Sequence, residues 1–233
     1  MAALDHATGV VLGQLATAAK SNEIPTVRTL LTAFEVHAVV ITVDAMHTQT
    51  DTATAIVAAG GDYVFTVKGN QPTLYAQLKA LPWKDVPSHS HVQKGHGRRA
   101  HRAIKVLTAP AWIAFAGATQ VAQIRRTVTR KGKKTVEVVY VITSADHIAA
   151  PPPVLAAWVQ SHWGIENRSH WVRDVTFDED RSQIRTGNAP HVMACLRNTA
   201  ISLLRLAGTT NIAASLRHHA AAAERPINLV LTS

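Results

Sequence analysis

Residues 38–46, Ala-Val-Val-Ile-Thr-Val-Asp-Ala-Met, constrain the fold more than any other stretch. β-Branched side chains suit a pleated backbone, and an apolar run without alternation implies a strand covered on both faces. Strands of that kind belong to α/β folds, in which helices cover the sheet. A helix over 48–59 and a second strand over 61–67, Gly-Asp-Tyr-Val-Phe-Thr-Val, complete a β-α-β pattern. Asp44 ends the first strand, at the edge where α/β sheets gather their ligands. On this pattern alone it is either a ligand-handling carboxylate or the cap of the following helix. After the second strand, Lys68-Gly69-Asn70-Gln71 could offer donors to a phosphate or a base edge. A turn into the next helix, over 73–81, would use Gly and Asn equally well.

Charge narrows the partners. The chain carries a formal net charge of +9 in 233 residues. Between Val86 and Val136 there is no acidic residue, while eleven Lys and Arg fall there, from Lys94 to Lys134. More than the whole net charge therefore sits in one window, and a polyanion, nucleic acid first, is the economical partner. Strands over 103–107, 121–129 and 136–143, with a hairpin turn at Lys131-Gly132-Lys133, make this window a β-rich insertion with basic side chains on its exposed face. His89, His91, His96 and His101 fit no zinc-finger spacing and have no Cys nearby. The lone Cys195 excludes an internal disulfide and suits a reducing cytoplasm. A signal peptide and a membrane span are both missing from the pattern.

The ends of the chain are simpler. Residues 1–17 read as a hairpin with its turn at Thr8-Gly9. Ser21 or Asn22 caps a helix whose buried face is Val27, Leu30, Leu31 and Phe34, with Glu23 in an ordinary capping position. Pro151-Pro152-Pro153 opens another helix. A further helix over 189–207 presents Val192, Leu196, Leu203 and Leu206 as its apolar side, and residues 209–233 form a tail with a short Ala-rich helix.

Chemistry is densest over 162–185. As a helix, this stretch aligns His162, Glu166, Ser169, His170 and Arg173 on one face, with Asp174 close by, and leaves Trp163 and Trp171 to wedge it into a core. A carboxylate among imidazoles and a guanidinium suits metal or phosphate; an exposed amphipathic helix would look the same.

His162-Trp163-Gly164-Ile165-Glu166-Asn167, then His170-Trp171, Asp174-Val175, Phe177 and Glu179-Asp180, resemble the signature of ISAs-type, or H-repeat-associated, insertion-sequence transposases of the DDE class. The likeness runs from about Ala3 to Leu206 and includes Lys20-x-Asn22-Glu23, Val43-Asp44-Ala45-Met46 with Gln49, the Lys68–Gln71 element, and His96-Gly97-Arg98. The family's acid after that last element is replaced by Arg99-Ala100.

The resemblance implies an α/β, RNase H-like mixed sheet flanked by helices. It makes Glu166 the third catalytic carboxylate and Asp44 the second, both metal ligands, with Mg2+ the expected ion and Mn2+ an alternative. It places Lys68, Asn70, Gln71, Arg98, His162 and Arg173 against DNA. The partner would be double-stranded DNA at insertion-sequence ends, in the bacterial cytoplasm at the nucleoid. The family's first Asp, in an Asp-Gly-Lys element on its first strand, has no counterpart; Asp5 belongs to the hairpin that follows. The expectation is an N-terminally truncated copy, missing its first strand and with little strand-transfer activity. The strand edge so exposed would invite a homodimer. The domains expected are 1–85 and 137–208 for the two parts of the core, 86–136 for the basic insertion, and 209–233 for the tail. Two other readings stay open: a non-catalytic DNA-binding remnant, and a zinc hydrolase built on His162, Glu166 and His170.

Overall fold

The computed structural model describes residues 1–15, 23–95, 97–165 and 171–232. The chain divides into two units, Val27–Gln160 and Met1–Thr26 with Ser161–Ser233.

Helix α1 (Glu23–Leu31), with Val27 and Leu30 buried, precedes the β-α-β pattern anticipated around Asp44. Strand β3 (Val40–Val43) leads through a short 3-10 turn (Ala45–His47) and helix α2 (Thr50–Ala58) to β4 (Asp62–Val67). The two strands are parallel, in the register Val40 to Asp62 and Val43 to Phe65, as a helical crossover requires. Gly61 enters β4 where no other residue fits, since a Cβ there would stand 2.6 Å from the Val36 carbonyl oxygen. Helix α3 (Pro72–Lys79) follows. The chain then runs through four antiparallel strands: β5 (His89–Gly95), β6 (Arg98–Thr108), β7 (Gln120–Arg130) and β8 (Lys133–Thr143). β8 pairs with β4, so all six form one mixed sheet in the order β3-β4-β8-β7-β6-β5.

The core of this unit gathers Tyr63, Phe65, Val67, Leu78, Trp83 and Ile142, all buried. Aromatic rings meet edge-on or tilted within it, with Tyr63 and Phe65 centroids 4.5 Å apart. The Trp83 indole N–H donates to the Leu78 carbonyl at 2.7 Å, which satisfies its one buried donor.

Three expectations change here. Double coverage belongs to β4, whose residues 63–67 are all buried; β3 ends the sheet and is half-buried along its length. β5 was not anticipated, and β6, at 11 residues, runs well beyond 103–107, while β7 matches 121–129 to within one residue at each end. The strands of the basic window also continue the sheet that carries β3 and β4, through the β8–β4 pairing.

The smaller unit holds the anticipated hairpin, β1 (Ala2–Leu4) against β2 (Val11–Gln14). Its turn is closed by Asp5, which accepts from the Ala7 and Thr8 amides at 3.1 and 3.0 Å and from the Thr8 hydroxyl. The Thr8 hydroxyl holds the Asp5 carboxyl below its ordinary range.

Helix α5 (Ala189–Leu206) buries a different face from the one expected. Val192, Leu196 and Leu206 are exposed, while Asn198, Ile201, Ser202 and Leu204 are buried. Hydrogen bonds decide this: Asn198 donates to the Gln14 side chain, and the Val11 amide donates to Ser202 Oγ at 3.0 Å. Helices α6 (Ile212–Ala220) and α7 (Glu224–Leu231) end the chain, and Ile212 joins Val172, Ile201 and Leu204 in a small core.

The signature stretch begins in helix α4 (Pro152–Ile165). Beyond residues 166–170, which lie outside the described residues, it runs through a π-helical turn (Val172–Thr176) and a 3-10 turn (Glu179–Arg181), so its second half is not the regular helix expected. Trp171 is 53% exposed and so does not wedge into a core; Val172 beside it does.

Candidate functional site

Asp44 sits at the C-terminal end of β3, with extended backbone (φ −62°, ψ 157°), and is exposed. Its side chain makes no capping hydrogen bond to the turn that follows, and α2 begins behind Gln49 instead. The capping role left open by the sequence is therefore not the one it plays. Its backbone carbonyl accepts from the His47 amide at 2.9 Å, closing the turn.

The loop after β4 grips that turn. Asn70 Nδ2 donates to the Ala45 carbonyl at 2.6 Å, and Gln71 Nε2 donates to the Thr48 carbonyl at 2.8 Å and to Gln49 Oε1 at 3.2 Å. Gln49 Nε2 in turn donates to the Met46 carbonyl at 3.1 Å. The buried Thr48 hydroxyl donates to the Thr66 carbonyl at 2.8 Å, tying the same turn to β4 itself. Parallel strands end at one edge, so the residues after β4 stand beside those after β3. Asn70 and Gln71, expected against DNA, thus spend side-chain donors on the backbone around Asp44. Lys68, the first residue of this loop, is exposed.

Arg173 also has a committed partner. Its Nε and a terminal nitrogen donate to the two Glu179 carboxylate oxygens at 2.5 and 2.7 Å. Arg197 of α5 approaches the same carboxylate at 3.4 Å. The three side chains are only 11–22% exposed. Glu179 holds the Arg173 guanidinium above its already high value, so it stays charged. Arg173 was expected on DNA phosphate; here its fork is filled by a carboxylate, and it ties the π-helical turn to the 3-10 turn. Sequence spacing concealed this pair, because residues six apart do not face each other on a helix. The left-handed backbone of Asp178 (φ 50°) turns the chain back between them.

His162 lies half-buried in the last turn of α4, its ring 6.4 Å from that of His6. Glu166, with Ser169 and His170 of the anticipated face, lies outside the described residues, as does His96. Among the described residues no group of three or more His, Cys, Asp or Glu is placed to hold a metal ion.

Arg98 opens β6 in a strongly basic, exposed part of the sheet. It pairs with Arg130, which pairs with Lys133, so three cations line up across three strands. The next same-face row but one holds His91, Arg102, Arg126 and Glu137. Arg126 meets Glu137 at 3.6 Å, and Arg102 donates to Gln93 at 2.9 Å. Burial, then Arg126 and Arg98, pull the Arg102 guanidinium below its usual value. No helix among the described residues is long and apolar enough to cross a membrane.

The same sheet thus carries an exposed carboxylate at the end of β3 and a basic blade at its far end. Residues 1–203 match the family described as Transposase DDE domain, and the chain belongs to that family. It is 33% identical over 210 residues to the H repeat-associated putative transposase YhhI of Escherichia coli K12, covering 84% of this chain and 55% of the relative. It is 34% identical over 210 residues to the protein YbfL of the same strain, with the same coverage. The putative transposase YncI of Escherichia coli O157:H7 is 33% identical over 219 residues, covering 88% of this chain and 55% of the relative. The chain thus spans about half the length of the curated relatives it matches. Among solved structures, the piggyBac transposase synaptic complex with hairpin DNA aligns with 84% of this chain and 37% of its own, at 15% identity and a TM-score of 0.41.

Proposed function

We propose that this chain carries part of a DDE transposase active site, acting on the phosphodiester backbone of double-stranded DNA at insertion-sequence ends. The observation that carries the reading is the Asp44 edge. A carboxylate the family places in catalysis stands exposed at a strand end, on a turn clasped by Asn70 and Gln71. Asp44 and Glu166 would hold the divalent cation, magnesium first. Two carboxylates are hard oxygen donors of the kind magnesium selects, so the donor chemistry fits. When bound, the ion would polarise the phosphate and stabilise charge on the attacking and leaving oxygens.

The chain's own residues do the positioning. Asn70 and Gln71 keep the Asp44 turn from relaxing, and Thr48 locks it to β4. Lys68, exposed at the same edge, neutralises a DNA phosphate. Arg98, in the basic window 86–136, neutralises a further backbone phosphate, and His162 meets a phosphate near the Glu166 segment. Arg173 supports the loop that follows Glu166 and reaches DNA only by leaving Glu179. Such a chain works on DNA at the bacterial nucleoid. Asp44 and Glu166 are two of the family's three carboxylates, and the two alone would hold a metal pair weakly.

The test is a nicking and joining assay on duplexes bearing the element's terminal repeats, with magnesium and with manganese. Weak metal-dependent nicking, abolished in Asp44→Ala and Glu166→Gln, supports the scheme. Robust activity untouched by Asp44→Ala discards it. DNA binding with no cleavage under any metal would favour the non-catalytic remnant, and stoichiometric zinc in the purified protein would revive the hydrolase.

A further inference from the structure

The far end of the six-stranded sheet has two faces, and they differ. On one face, the outermost row is Arg98, Arg130 and Lys133, with Gly95 beside them. One row further in lie Gln93, Ala100, Val128 and Thr135. Beyond that come Arg102 and Arg126. Ala100 is buried to 3% exposure, so the small side chains make a floor between two cationic rows. An open groove of about 490 Å³ lies here, lined by Val128, Arg130, Lys131, Lys133 and Thr135.

On the opposite face the cations Lys94, Arg99 and Lys134 form a single outer row. Behind it stand Val92 and Val136, 38% and 47% exposed. One row in, His101 and Thr127 lie between these valines, and two rows in stands the exposed Arg125, so the inner row of this face holds one cation where that of the first face holds two.

The packing of guanidinium groups, not the count of acids, separates the faces further, since Lys94, Arg99, Arg125 and Lys134 have no acid among their strand partners. The Arg98, Arg102, Arg126, Arg130 and Lys133 face has one acid, Glu137, at 3.6 Å from Arg126. The Nε donors of both Arg102 and Arg126 are buried without a hydrogen-bond partner among the described residues. Packing guanidinium groups together in this way is unfavourable unless an anion neutralises them. The two cationic rows are four residues apart along the strands, which is ~14 Å at ~3.4 Å per residue. A duplex major groove is ~12 Å wide. Each row can therefore meet a different backbone of one duplex, while a single strand would satisfy only one row at a time.

We infer that the Arg98/Arg130/Lys133 face of the sheet tip, with its groove and the inner Arg102/Arg126 row, is the surface that docks the sugar-phosphate backbones of duplex DNA, and that the opposite face does not. This rests on the transposase reading and names the surface that reading needs. The contact is one of charge and shape and reads no base.

The experiment compares two variants of the full chain that each remove three exposed cations: Arg98→Gln/Arg130→Gln/Lys133→Gln and Lys94→Gln/Arg99→Gln/Lys134→Gln. Binding to a short labelled duplex of arbitrary sequence is followed by fluorescence anisotropy between ~50 and ~200 mM salt. A labelled single strand serves as the second probe, and circular dichroism confirms that both variants fold. At about 0.9 per phosphate contact, the first variant should lower the salt slope by about 2.7 and weaken duplex binding more than about tenfold. The second should keep its slope within about 1 of the parent. Equal losses from both faces, or no loss from either, overturn the assignment while leaving the transposase reading standing. Single-strand binding as tight as duplex binding, with the same loss in the first variant, overturns the two-row fit. A parent chain that binds no duplex at all removes the transposase reading itself.

Discussion

Strand β8 contrasts two halves of one sheet. Its residues 133–138 are all exposed, and its residues 139–143 are all buried. The backbone ladder with β7 continues unbroken through both halves, from Arg130–Lys133 to Gln120–Thr143. At the base, side chains from β4, β7, β8 and α3 fill one apolar cluster. At the tip, hydrogen-bonded backbone and a few polar contacts keep the strands together, and the side chains are left for other work. Pairing alone can extend a sheet past its core when the core half anchors it. Stability and charge display are thus allotted to different ends of the same strands.

Substitutions should separate those ends sharply. Phe65 is fully buried at the base, and Phe65→Ala should destabilise the protein by about 3–5 kcal/mol in urea denaturation. Val136→Ala at the tip, on a half-exposed residue, should stay within about 0.5 kcal/mol. A large effect at Val136 would mean the tip is covered and the contrast is false.

Tyr63 gives the base a second signature, in pH. Its hydroxyl donates to the Ala116 carbonyl at 2.8 Å, and burial pushes the phenol well above its ordinary value. The unfolded phenol loses its proton near pH ~10, while the folded one does not. The neutral pair is equally protonated in both states below that pH, so the stability is fully present there. It is lost as pH rises further, by up to about 1.4 kcal/mol per pH unit above ~10. Thermal melts at alkaline pH should show this decline, and Tyr63→Phe should flatten it.

A modest effect is expected at the Asp44 edge. Asn70→Ala removes one neutral hydrogen bond to the Ala45 carbonyl and should lower stability by about 1 kcal/mol. Its greater consequence is for metal-dependent nicking, which should fall more than stability does, while duplex binding through the sheet tip stays at the parent level. Equal losses in nicking and binding would show that Asn70 touches DNA directly.

What the sequence revealed follows the same division. The β3-α2-β4 unit was legible because its apolar runs report burial. β5 was not: His-Ser-His-Val-Gln-Lys-Gly is exposed throughout, so no alternation marks it. The face of α5 was misread because its buried positions include Asn198 and Ser202, chosen for hydrogen bonds to β2 that no hydropathy pattern records. The place of Asp44 after a strand left a capping and a ligand-handling role both open, and the family resemblance singled it out. Asn70 and Gln71 carried a family motif but not the direction of their amides, and Arg173 gave no sign that Glu179 would claim it.

The clasp of Asn70 and Gln71 on the Asp44 turn has one more consequence. It is made inside a single β-α-β crossover, so the carboxylate's position is fixed by its nearest neighbours in the polymer. Lengthening or shortening the blade should leave that acid where it is. Variation at the far end of the sheet is thereby uncoupled from the geometry of the Asp44 edge.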